Sequence, residues 1–186
     1  FFIFVAMGIN ELYLLYEECD YNVCTDTRET VLNSLFFALS GENFDGNKFV
    51  HSALEKGCLY AVCDNKDVVG ENIIHVSDVL KTLQELANFH RSKFDIPVLG
   101  ITGSNGKTTT KELLASVLKE KFDLLFTKGN LNNHIGVPLT LLKLRRNNDF
   151  ALIEMGANKE GDINELCNIA DPTHAITTKI GLAHLL

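Results

Sequence analysis

The residues with the clearest chemical potential are Gly100-Ile101-Thr102-Gly103-Ser104-Asn105-Gly106-Lys107-Thr108-Thr109. A strand that runs into a tight glycine turn and then a helix lets backbone N–H groups converge on an anion without side-chain clash. The helix N-terminus adds partial positive charge. Lys107 is placed to reach the β/γ-phosphates of a nucleoside triphosphate, and the Thr108 hydroxyl suits magnesium. Gly103, Ser104, Asn105, Gly106, Lys107, Thr108 and Thr109 are therefore the candidate ATP-binding residues. The strict pattern G-x-x-x-x-G-K-[ST] is not met, because Ile101 stands where glycine is required and Gly100 and Gly103 bracket it. The plainer alternative is a glycine-rich turn with a chance Gly-Lys-Thr, but strand, loop and helix follow in the required order. Such a loop specifies a nucleoside triphosphate well and a reaction class poorly.

Magnesium on a triphosphate wants a carboxylate at the end of a neighbouring strand. Glu154 follows four apolar or aromatic residues and precedes Met155-Gly156, which places it at a strand's carboxyl edge, where open α/β sheets bind ligands. A solvated strand-end glutamate is the bland alternative. His184, beyond the next strand, could complete a metal site, although a lone His is more often uninvolved. The stretch Gly129-Asn130-Leu131-Asn132-Asn133-His134-Ile135-Gly136-Val137-Pro138 is rich in amides. It suits a loop that hydrogen-bonds a phosphate or a reacting carboxylate, and equally suits ordinary turn chemistry.

Two regimes of element pattern position these residues, and they meet near residues 91–97. In the first regime Asn10 caps a helix over 11–18, and 23–27 and 35–39 read as short strands. Residues 43–47 carry turn chemistry. Residues 47–56 look helical, 58–63 form an apolar strand, and 72–76 another. Ser77 caps a helix with Val79, Leu80, Leu83, Leu86 and Ala87 on its buried stripe. Arg91-Ser92-Lys93 is a candidate linker. In the second regime apolar strands over 96–102, 122–127, 150–155 and 175–180 alternate with helices over 108–121, 138–144 and 161–170. Leu113, Leu114, Val117 and Leu118 are expected to face inward from the first of these helices. Continuous apolar strands separated by helices indicate a parallel sheet covered on both faces. The expected fold is thus α/β. A small mixed α/β substrate domain over 7–93 is followed by an incomplete P-loop, mostly parallel-sheet ATPase domain over 94–186.

Composition narrows the function classes. The 186-residue chain is 46% hydrophobic and 22% charged, ordinary for a globular protein, with a net charge of −7. An acidic chain without a Lys/Arg cluster is a poor partner for nucleic acid. Cys19, Cys24, Cys58, Cys63 and Cys167 make no CxxC pair, so reduced, mostly buried thiols are expected rather than a zinc or disulfide framework. The apolar run over residues 1–7 is too short to span a bilayer, which takes roughly 20 residues, and has no basic region before it. Met7 is a candidate start. The chain stops at Leu186 directly after a strand-like run and a His, as a truncated chain would.

Together these pieces resemble the Mur ligase family. The loop Thr102–Thr110 is similar to that family's variant phosphate loop, which accounts for the failed strict pattern. Gly129–Pro138, Ile153–Asn158 (IEMGAN) and Ile180–His184 (IGLAH) are similar to the branch that joins D-alanyl-D-alanine to UDP-N-acetylmuramoyl-tripeptide. Asp26-Thr27-Arg28, with Leu35–Gly46, is similar to the domain that holds the UDP-sugar end of the substrate.

The resemblance implies a three-domain cytoplasmic enzyme, a monomer with ATP and Mg2+ as cofactors. The substrate carboxylate would attack the ATP γ-phosphate, and the amine would then displace phosphate from the acyl phosphate. It implies Lys107, Asn133, Glu154 and His184 as catalytic, Thr108, Glu154 and His184 as metal-binding, and Asp26, Thr27, Arg28, Asp45 and Gly46 as substrate-binding. Asn47, Lys159 and Lys179 depart from frequent family residues, and Lys179 brings positive charge close to the implied metal site. The family's adenine and amino-acid contacts would lie past Leu186. This chain alone is expected to be inert and, with an unfinished sheet, prone to aggregate. A non-catalytic P-loop module, a different Mur-type ligase and a ligase fusion remain alternatives.

Overall fold

The computed structural model describes residues 7–29 and 31–181. The chain divides into two compact units between Leu86 and Ala87.

The first unit opens with α1 (Ile9–Glu18), which buries Leu12 and Tyr16. This helix starts before Asn10. Its N-cap is Gly8, whose N–H donates to the Glu11 carboxylate at 2.8 Å, so the acidic residue supplies the reciprocal half of a capping pair. Four short strands follow: β1 (Val23–Cys24), β2 (Leu35–Phe37), β5 (Tyr60–Cys63) and β6 (Ile73–His75). They pair in the order β1-β2-β5-β6, every pair parallel. The turn chemistry near residue 43 makes a hairpin, β3 (Ser40–Gly41) antiparallel to β4 (Phe44–Asp45). The sequence pattern missed it because two-residue strands carry no periodicity. The helix expected over 47–56 splits into a 3-10 turn (Gly46–Phe49) and α2 (Val50–Glu55). One core cluster joins Cys24, Phe36, Ala38, Val50, Ala53, Cys58, Ala61 and Cys63, so β1, β2, β5 and α2 share an apolar layer.

Helix α3 (Val79–Arg91) is capped by Asp78, whose carboxylate accepts the Lys81 N–H at 2.9 Å, and not by Ser77. Its last turn belongs to the second unit. There the Asn88 carboxamide donates to the carbonyls of Asn168 and Ile169, and the Arg91 guanidinium to that of Asp171.

The second unit is built on β7 (Val98–Thr102), β8 (Leu124–Phe126), β9 (Phe150–Glu154) and β10 (His174–Thr177), all parallel, in the order β10-β7-β9-β8. Helices α4 (Lys107–Leu118), α5 (Gly136–Leu141) and α6 (Asp162–Ala170) are the crossovers. The register sets Ile101 beside Glu154 and Thr102 beside Thr177. The carboxyl ends of the two strands flanking β7 therefore meet at the glycine loop.

The expected inner face of α4 is corrected. Leu113 and Val117 are 64% and 69% exposed, whereas Lys111 and Ala115 are buried. At about 100° per residue, positions 113 and 117 lie far around the helix from 111 and 115. Of the expected residues, Leu114 does pack against the core cluster of Ile101, Ala115, Phe126 and Leu152, and Leu118 is half-buried, so the inward face is centred on Lys111 and Ala115 with Leu114 beside them.

Candidate active site

The glycine loop leaves β7 at Thr102 and enters α4 at Lys107. Gly103 has φ +134°, and a Cβ there would lie 2.1 Å from the Thr178 hydroxyl, so only glycine fits. Gly106 turns the chain into the helix at φ +86°. The segment after β10 braces this loop. Ser104 and Asn105 N–H groups donate to the Lys179 carbonyl at 3.0 and 3.4 Å, and the Thr178 hydroxyl donates to the Asn105 carbonyl at 2.7 Å. The Ser104 hydroxyl donates to the Gly181 carbonyl at 2.9 Å. Two loop amides expected to face an anion are thus engaged by backbone. The Lys107 ammonium folds over the loop onto the carbonyls of Gly103 and Ser104. Thr108 and Thr109 lie exposed in the first turn of α4.

Glu154 is the buried centre of the site, with 1% of its surface exposed. Its N–H donates to the Thr127 hydroxyl at 2.9 Å, which pins the strand end. Its Oε1 accepts from the Thr108 hydroxyl at 3.1 Å and from the Asn132 carboxamide at 2.8 Å. Its Oε2 faces the Lys111 ammonium at 3.5 Å and, with that ammonium, has no well-formed hydrogen bond. Lys111 is 0% exposed and also stands 3.0 Å from Glu112. Losing one partner of such a buried pair costs about 3–5 kcal/mol, because the other charge is left uncompensated.

These atoms fit a hard divalent cation. The Thr108 hydroxyl and the Glu154 carboxylate are oxygen donors already within hydrogen-bond distance of each other, and one carboxylate oxygen is buried without a hydrogen-bond donor.

The amide-rich loop divides its labour differently from the sequence expectation. Asn132 reaches Glu154. Asn133 instead uses its carboxamide oxygen to accept the N–H groups of Ile135 and Gly136 at 3.1 and 2.9 Å, which caps α5. His134 is tied to α6, its Nε2 lying 3.2 Å from Asp162 and its Nδ1 3.7 Å from Glu165. Asp162 accepts the N–H groups of Asn158 and Lys159, and these bonds, with His134, hold its carboxyl below the usual carboxylate range. His184 lies outside the described residues.

In the first unit, Asp26, Thr27 and Arg28 follow β1, and Asp45 ends and Gly46 follows the hairpin after β2, at the carboxyl edge of that sheet. Asp26 grips Arg28 through Nε at 3.0 Å and Nη2 at 2.5 Å. The guanidinium beside it lowers the Asp26 pKa to about 2. The Thr27 carbonyl accepts from Lys56 at 2.7 Å. Gly46 passes so close to the chain just after β2 that a Cβ would lie 2.3 Å from the Leu39 carbonyl oxygen. Asn47, which the sequence reading marked only as a departure, is 7% exposed and latches this loop to the end of β5. Its carboxamide donates to Asp45 at 3.0 Å and Asp64 at 2.8 Å.

The sequence singles out neither Lys111 nor Thr127 for the site, and it offers Asn132 only as one of the amides in Gly129–Pro138. A signal for Lys111 existed: it lies three residues after Thr108, on the same helix face.

The glycine loop, the helix that follows it and the buried carboxylate form a phosphate-loop type of centre on a parallel sheet, and the comparisons specify the family. Residues 101–185 match the Mur ligase middle domain, and residues 21–91 match the Mur ligase family, catalytic domain. The chain belongs to the Mur ligase family. Within it, the chain is similar to the UDP-N-acetylmuramoyl-tripeptide--D-alanyl-D-alanine ligase of Synechocystis sp. They are 46% identical over 88% of this chain and 37% of the relative. The ligase of that name from Bacillus subtilis is 43% identical over 89% of this chain and 37% of the relative. MurF from Acinetobacter baumannii superposes with a TM-score of 0.82 at 38% identity, covering 88% of this chain and 36% of that one. MurF ligase from Thermotoga maritima in complex with ADP gives 0.81 at 36% identity, covering 88% and 38%. The chain spans a little over a third of the length of these relatives.

Proposed function

We propose that the complete protein is a cytoplasmic ATP-dependent ligase that joins D-alanyl-D-alanine to UDP-N-acetylmuramoyl-tripeptide. The observation that carries the chemistry is the buried Glu154 carboxylate hydrogen-bonded to Thr108, the residue after the loop lysine. The similarity to relatives bearing that ligase name supports the substrates.

The first unit holds the UDP-sugar end. Arg28, pre-set by Asp26, offers guanidinium donors to a diphosphate, and Thr27, Asp45 and Gly46 line the same sheet edge. In the second unit the loop and the α4 N-terminus hold the ATP phosphates, with Gly103, Ser104, Asn105 and Gly106 setting the backbone path and Thr109 in the first helical turn. Lys107 leaves its loop carbonyls to offset charge on the transferring phosphoryl group. The acyl carboxylate of the tripeptide attacks the γ-phosphate, and ADP departs. The dipeptide amine then attacks the acyl carbonyl, and phosphate leaves as the amide forms. Thr108 and Glu154 would hold Mg2+, which supplies charge neutralisation on the phosphates. Asn132 orients Glu154, and Asn133 shapes the loop by capping α5. His184 is the candidate for a further metal contact. Among the described residues no helix is long and apolar enough to cross a membrane.

Phosphate release by the complete protein is expected only when ATP, UDP-N-acetylmuramoyl-tripeptide and D-alanyl-D-alanine are all present. Release with glutamate and a folate instead would overturn the reading.

A further inference from the structure

Lys111 is fully buried, stands one helical turn after Thr108, and has its ammonium 3.5 Å from Glu154 Oε2. Oε1 of the same carboxylate is fixed by Thr108 and Asn132, whereas Oε2 has no hydrogen-bond donor among the described residues. A carboxylate held on one oxygen only can rotate about its last bond, and a buried one needs a counter-charge. Helix α4 supplies both requirements from one face: a hydroxyl at position 108 and a cation at 111. Glu112, partly exposed, balances the lysine from the outer side at 3.0 Å.

We propose that Lys111 is a positioning residue that sets the orientation of the Glu154 carboxylate for the divalent cation. It touches neither nucleotide nor metal and acts only through Glu154. This inference rests on the nucleotide-binding part of the function proposed above.

The test is ADP affinity of the complete protein as a function of Mg2+ concentration. In Lys111→Met the half-saturating Mg2+ concentration is expected to rise about tenfold, the usual effect of losing a group that orients a metal ligand. ADP affinity without metal should stay at the wild-type value, because Lys107 and the N-terminus of α4 are intact. Lys111→Arg keeps the charge and is expected to shift the Mg2+ curve less than Lys111→Met. An unchanged Mg2+ curve in Lys111→Met, or an equal shift in both variants, overturns the proposal.

Should Lys111→Met fold poorly, the double variant Lys111→Met/Glu154→Gln decides. It is expected to melt above Lys111→Met alone, because the uncompensated carboxylate is gone. A double variant that melts no higher overturns the proposal. Wild-type protein that binds no ADP at any Mg2+ concentration would refute the nucleotide-binding reading instead. The melting comparison would still judge Lys111.

Discussion

At the edge of the first sheet, Arg28 and Asp26 pair with 87% and 39% of their side chains exposed. At the edge of the second, Lys111 and Glu154 face each other with 0% and 1% exposed. Both sheets are four-stranded and parallel, and both gather their candidate residues where the strands end. Charge is handled oppositely. An exposed pair is screened by water and salt, so it can exchange its partner for an incoming anion at small cost. A buried pair keeps its electrostatic strength but must be compensated in place. Under the proposed function, the exposed pair suits recognition of a charged substrate, and the buried pair suits holding charge in place during phosphoryl transfer.

The largest expected effect that would break this contrast lies in the second unit. Lys107→Met should lower ligase turnover on the order of a thousandfold, with the fold kept, measured as phosphate release alongside far-UV circular dichroism. A loss under tenfold would mean that the loop lysine does not meet the transferring phosphoryl group.

Gly46→Ala comes next, in the first unit. Its Cβ would lie 2.3 Å from a main-chain oxygen, and backbone cannot give way as a flexible side chain can. A destabilisation of about 3 kcal/mol is expected from denaturant unfolding. A neutral result would show that the hairpin after β2 relaxes freely.

Arg28→Ala should raise KM for the UDP-linked substrate about tenfold, roughly one charge-assisted hydrogen bond, with kcat and melting temperature unchanged. A fall in kcat with constant KM would move Arg28 from recognition into the chemistry and erase the distinction between the units.

The smallest effect concerns pH. Asp162 is held below its ordinary pKa, chiefly by the Asn158 N–H, with the Lys159 N–H and His134 adding to it. A group with a depressed folded pKa adds stability above its unfolded value, about 3.9, and loses it as pH falls through the folded value. Wild type should therefore melt above Asp162→Asn at pH 7, with the gap closing as pH drops below about 4. A gap that stays constant down to acid pH would show that the charge on Asp162 is not what ties Asn158 and Lys159.

The thiols follow the same logic of burial. Cys19 is pushed up to about 12 and Cys63 to about 11 by desolvation, so both are inert. Cys24 moves the other way, downward, because the neighbouring Cys58 thiol favours its thiolate.

The alternation of apolar strands and helices fixed the class, because a strand covered on both faces must read as a continuous apolar run. β9, with four of its five residues buried, is the clearest case. The glycine loop was legible because its spacing is a backbone requirement, and Glu154 because a charge ending an apolar strand must emerge at the sheet edge. The helix starts lie one or two positions from those the sequence suggests, at Gly8 and Asp78, since adjacent residues compete for the same cap position.

What the sequence determined by itself was the order of elements and the chemical types at strand ends, both local properties of the chain. Only the tertiary structure decided which amide of the pair Asn132-Asn133 meets Glu154, that Lys111 rather than Leu113 turns inward, and that Thr178 and Lys179 brace the phosphate loop. These are long-range choices. They follow from strand register and helix rotation, which local propensity does not encode, and from the need to compensate each buried charge with the nearest opposite one.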